Sequence, residues 1–137
     1  MGLGGIAPVV YTDTMIKFTT TDTDNIFACA RWGYWGYAKD FHFTYLDVDA
    51  LADSWTMHLH NPEDVDGYTP KRIDATALAE AAASILDSEV KVGSYIYDML
   101  AQDLRDWREN PQYGVPFDAD LSEILVQVAC FGEVVFG

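Results

Sequence analysis

Cations are scarce in this sequence. Against 22 Asp and Glu stand only 8 Lys and Arg, a formal net charge of -14 over 137 residues. A protein that binds nucleic acid by itself needs cations to displace the counterions condensed on phosphates, and an anionic membrane calls for a basic face. The shortage argues against direct nucleic-acid and membrane binding. It favours a partner protein with a basic surface, toward which so negative a chain is electrostatically steered. Cysteine is scarce too. Cys29 and Cys130 both sit in apolar stretches without C-x-x-C spacing, which reads as two buried free thiols of a cytoplasmic protein.

Long hydrophobic runs are missing, and nothing approaches the roughly 20 apolar residues that span a bilayer. The stretch Met1-Gly2-Leu3-Gly4-Gly5-Ile6 has no basic segment and no long apolar one, so it does not read as a secretory signal. Ile6 stands where the myristoylation pattern expects Ser or Thr. No repeat of a length that builds solenoids or propellers is visible. The catalytic signatures are absent as well: no G-x-S-x-G, P-loop, dinucleotide-binding glycine pattern, H-E-x-x-H or Cys with an evident His partner. A non-enzymatic role is therefore the better expectation.

What the chain does have is apolar mass. Half of it is hydrophobic, with 4 Trp, 8 Tyr and 7 Phe, enough for one core in a single α+β domain spanning residues 1–137. Aromatic and Thr-rich segments come first, and Ala, Leu and Ile at helical spacing follow. That order predicts an antiparallel sheet of three to five strands, mostly within residues 9–60, packed against three helices at about 75–87, 92–109 and 121–131.

Within the first part, the run Thr21-Asp22-Thr23-Asp24-Asn25 looks like the turn of a β-hairpin joining 15–20 to 26–32, with Ile16, Phe18, Phe27 and Cys29 on one face. Segments 41–46 and 55–60 alternate with period 2, as a second hairpin across Asp49 to Asp53 would require. Asp49 can equally cap a helix carrying Leu51, Trp55 and Leu59, so strand and helix both stay open for 49–60. The prolines, glycine and acids of 61–70 read as an exposed loop.

In the second part, Asp74 is the expected N-cap of the first helix. Asn110-Pro111 should end the next one. Asp120 with Glu123 resembles a capping box for the last, which Gly132 should stop. Val134 to Phe136 adds a short strand or a further turn.

Three constellations carry candidate chemistry. The first is the local echo Trp32-Gly33-Tyr34-Trp35-Gly36-Tyr37. Glycines turn the backbone, and Trp32, Tyr34, Trp35 and Tyr37, if they project outward, offer the rigid amphipathic area found at interface hot spots. Folded inward, they are simply core.

The second is the helix acids Asp98, Asp103, Asp106 and Glu109. Carboxylates three or four apart on a helix lie roughly 5–6 Å apart, close enough to imitate a row of DNA phosphates. Arg105 and Arg108 dilute that face, and Arg105 is spaced to pair with Glu109.

The third is the histidine set His42, His58 and His60. In the second hairpin His42 faces His60 with His58 on the same side, so three imidazoles would converge on a zinc or iron ion. Helical folding of 49–60 removes that arrangement. Close acid pairs such as Asp64 and Asp66 imitate an EF-hand only in part, because Pro62 and Ile73 stand where its first and last ligands belong. These pairs read as turn formers and caps.

Together the features have the general character of small accessory or inhibitor proteins of phages and mobile elements: an acidic DNA mimic that occupies a basic, nucleic-acid-binding surface of another protein. A metal-binding protein or metal-dependent enzyme built on the histidines is the alternative. Acidity that only solubilises, as in a salt-adapted organism, is another.

Overall fold

A computed structural model describes residues 16–31, 35–38, 54–60 and 67–136 of the chain. It is an α+β protein. The first element corrects the first expected hairpin, for helix α1 runs Thr20–Cys29. Thr19 is its N-cap: the Thr19 hydroxyl accepts from the Asp22 N–H at 3.1 Å, and the Asp22 carboxylate accepts from the Thr19 N–H at 3.1 Å. This reciprocal capping box satisfies two orphan donors at once. The same Thr and Asp chemistry that closes turns also starts helices, so composition alone pointed to the wrong element. Helical winding buries Ile26 and Phe27 and leaves Cys29 exposed.

The sheet has the order β1 (Gly36–Ala38), β2 (Ser54–His60), β3 (Tyr68–Asp74), all antiparallel. Its body is the seven-residue pair β2 and β3, with three-residue β1 along the other edge of β2. Residues 54–60 are thus strand, and Trp55, Met57 and Leu59 alternate into the core as period 2 requires. Phe27 of α1 stacks on Trp55, with centroids 4.6 Å apart and planes 5° from parallel.

The partners of β2 differ from those expected. His58 lies opposite Tyr37 on one side and Pro70 on the other, so both edges of β2 are taken there. The first strand of the expected second hairpin, 41–46, lies outside the described residues. Strand β3 also begins where a loop was expected, and Pro70 is accommodated because β3 ends the strand order.

Asp74 closes β3 and caps helix α2 (Ala75–Leu86), accepting from the Ala77 N–H at 2.9 Å. Helix α2 is alanine-rich and buries Leu78, Ala79, Ala81, Ala82, Ala83 and Ile85, a belt wider than a surface stripe because α4, α3 and β3 all pack against it. Helix α3 (Ser94–Glu109) fully buries only Leu100, Leu104 and Trp107. Asn110-Pro111 ends it as expected, leading into a 3-10 turn at Pro111–Tyr113.

Helix α4 (Ala119–Phe131) is capped by Asp118, which accepts from the Leu121 N–H at 2.8 Å, and not by Asp120. Gly132, with φ 76°, supplies the left-handed stop. Residues 134–136 form neither strand nor helix turn. Buried Gln127 holds them instead: its Oε1 accepts from the N–H groups of Val135 (2.9 Å) and Phe136 (2.7 Å), and its Nε2 donates to the Phe136 carbonyl (2.9 Å). Side chains from all four helices and from β2 and β3 contribute to one continuous core cluster or pack against it. The described residues form four α-helices, against the three expected.

Candidate functional site

Helix α3 sets the geometry of the candidate surface. Tyr95, Asp98, Gln102, Asp106 and Glu109 follow one another at intervals of three and four, so they share the face turned away from Leu100, Leu104 and Trp107. All five are exposed. Gln102 bridges the row, its Nε2 donating to the Asp106 carboxylate at 2.9 Å and its Oε1 accepting from Arg105 Nη1 at 2.7 Å. Arg105 is therefore drawn toward Gln102, whereas spacing had paired it with Glu109.

Asp103 stands apart from these acids. It lies half-buried on the flank of α3, and its carboxyl is raised above the usual 3.8 by burial first, then by the charges of Asp106 and Asp118. That coupling joins the acids of α3 to the start of α4, where Asp118 and Asp120 are exposed. The negative surface thus continues from one helix onto the next.

Beside it lies a groove of about 480 Å³. Tyr95 and Ile96 of α3 form one wall, Asp120, Glu123 and Ile124 of α4 another, and Val134 and Phe136 the floor, with Arg31 at the rim. Arg31 pairs with Asp120, and both side chains remain more than 60% exposed. Tyr95 is 72% exposed. One oxygen of Glu123, Oε1, is shielded from solvent and has no hydrogen-bond partner.

The aromatic echo is placed only in part. Trp35 is buried at 2% exposure, packed on Phe131 at 5.4 Å and stacked on Phe136 at 5.7 Å with planes 8° apart. It supports the groove floor from within and is not an outward-facing anchor. For Trp35 the inward reading holds: it sits at the turn leading into β1 with its ring in the core. Trp32 and Tyr34 lie outside the described residues, and Tyr37 takes its place in β1 opposite His58.

Of the histidine set, His58 and His60 fall two apart on β2. His42 lies outside the described residues. Among the described residues, no group of three or more His, Cys, Asp or Glu is placed to hold a metal. Burial pushes the Cys130 thiol up to about 12 despite the nearby Lys71, which disfavours its thiolate. No helix of the described residues is long and apolar enough to cross a membrane.

Three residues of structural weight went unread in the sequence. Tyr95 was findable, because its helical spacing from Asp98 and Asp106 puts it on their face. Gln127 carries no local signal, as its role appears only when residues 134–136 fold back. Asp24 looked like a turn acid, yet it is wholly buried, both of its oxygens lack hydrogen bonds, and burial raises its carboxyl above 3.8. Compared with known proteins, the chain matches no family model, no curated protein and no solved structure.

Proposed function

We propose that the protein is a non-enzymatic binding module that sets its acidic α3 face against a basic, nucleic-acid-binding surface of a partner protein, as a DNA mimic. The carrying observation is the exposed row Asp98, Asp106 and Glu109, continued by Asp118 and Asp120 on α4, in a chain of net charge -14. Carboxylates one turn apart, as Asp106 and Glu109 are, approach the density at which a phosphate backbone presents charge to lysines and arginines, and Asp98 extends the row two turns further. The reading places the protein in the cytoplasm beside such a partner, in the manner of phage or mobile-element inhibitors. Like charge along the row also disfavours acidic proteins and nucleic acid as ligands.

Capture from host lysate at low and high salt tests this reading. Association should slow as ionic strength rises past about 0.1 M, where the Debye length falls below about 10 Å. Asp98→Asn, Asp106→Asn and Glu109→Gln combined should weaken capture, while the wild type releases its partner at high salt. Capture that ignores both salt and these substitutions sinks the proposal.

A further inference from the structure

The groove beside the acidic face has the opposite chemistry to that face, and the two are adjacent. Ile96, Ile124, Val134 and Phe136 give it an apolar lining. The α4 wall also carries Asp120 and Glu123, one turn apart. We propose that the groove receives a basic segment of the partner protein, seating one apolar or aromatic side chain on the floor and setting an adjacent lysine or arginine against Glu123 and Asp120. This inference rests on the acidic-module reading and adds to it the anchor that pure charge lacks.

Four observations select this occupant. Glu123 lines the groove beside Asp120, and a pair of carboxylates at a groove is matched by a cationic N–H donor. Tyr95 stands at the edge with 72% of its surface exposed, and a rigid aromatic at a groove margin is typical hot-spot chemistry. Arg31 already shows that the Asp120 side of the rim accepts a guanidinium. An exposed pair of that kind is worth little, so an incoming cation can share or replace it. The fourth is charge: an acidic segment would meet Glu123 and Asp120 head on, and a second copy of this chain would bring a further net charge of -14 to the same surface.

The test uses the intact protein and a short fluorescein-labelled amphipathic peptide of lysine, arginine, leucine and phenylalanine. A control peptide has serine in place of leucine and phenylalanine. Anisotropy at low ionic strength should show the apolar peptide binding about tenfold more tightly than the control. Tyr95→Ala, which alters an exposed side chain, and Ile124→Ser should each remove about fivefold or more of that affinity. Glu123→Gln should weaken binding, and Arg31→Ala should strengthen it by releasing Asp120.

Equal binding of the two peptides, or indifference to Tyr95→Ala and Ile124→Ser, overturns the groove assignment. Salt-sensitive binding lost only in the Asp98, Asp106 and Glu109 triple variant would leave the acidic face standing without the groove. Weaker binding in Arg31→Ala would mean that the groove takes an anionic group, which also overturns it.

Discussion

Trp35→Ala separates a core side chain from a surface anchor, and the structure fixes which outcome to expect. The indole is 2% exposed and lies against Phe131 and Phe136. Truncating a buried Trp to Ala costs about 3–5 kcal/mol through lost burial and the cavity left behind. Each aromatic contact adds about 0.5–1.5 kcal/mol beyond area. One feature pulls the other way: the indole Nε1 is buried without a hydrogen-bond partner, and removing an unsatisfied donor returns about 1–3 kcal/mol. The balance is a loss of about 3 kcal/mol, a large share of the roughly 5–15 kcal/mol that holds a domain together. Trp35→Phe keeps a ring on Phe136 and discards the orphaned N–H, so its loss should stay below about 1.5 kcal/mol. Urea melts of the three proteins measure both differences, with similar slopes expected if only stability changes. A Trp35→Ala loss under about 1 kcal/mol would show that the indole is not packed as described and would refute the reasoning.

Two further outcomes follow from buried ionisable groups. Burial raises the Asp24 carboxyl above 3.8, so the native protein holds a proton that the unfolded chain releases; stability from this group is complete below that value and is lost as pH rises through the raised native one. Asp24→Asn should match wild type in urea melts near pH 3 and overtake it as pH rises, by up to about 1.4 kcal/mol per pH unit, and parallel pH profiles would contradict this. Asp103 titrates in the same direction but is common to both proteins and cancels in the comparison. Cys29 is exposed whereas Cys130 is buried with its thiol near 12, so Ellman's reagent should find one fast thiol in the native protein and two after denaturation; two fast thiols would mean that the α4 end is open.

The second part of the fold was legible because its signals are local. Asp74 caps α2, Asn110-Pro111 ends α3 and Gly132 stops α4 where side-chain chemistry and backbone sterics require. The first part was not, because Thr and Asp serve turns and helix caps alike. Only packing decided: a helix at Thr20–Cys29 lays Phe27 flat on Trp55, which the expected hairpin pairing did not provide for. Asp118 capping α4 in place of Asp120 is a two-residue difference with a larger consequence. It turns Asp120 from a satisfied cap into a first-turn acid free to meet Arg31 across the groove.

The candidate site was legible in proportion to its locality as well. The acidic face of α3 is a property of one helix and follows from spacing alone. The groove depends on contacts far apart in sequence. Gln127 reaches from α4 to hold the backbone of Val135 and Phe136, and that hold presents Phe136 to the groove on one side and to Trp35 on the other. In the proposed groove, Trp35 of the aromatic echo would act from behind Phe136 and not by its own exposure. Trp35 stiffens the floor on which a partner's side chain would rest, so its loss should soften the groove as well as the core. In the proposed reading the acids of α3 draw a basic surface in from a distance, but charge alone discriminates poorly among basic partners. Under the proposed reading, the apolar lining of the groove beside that charge would supply the short-range selectivity that the acids cannot.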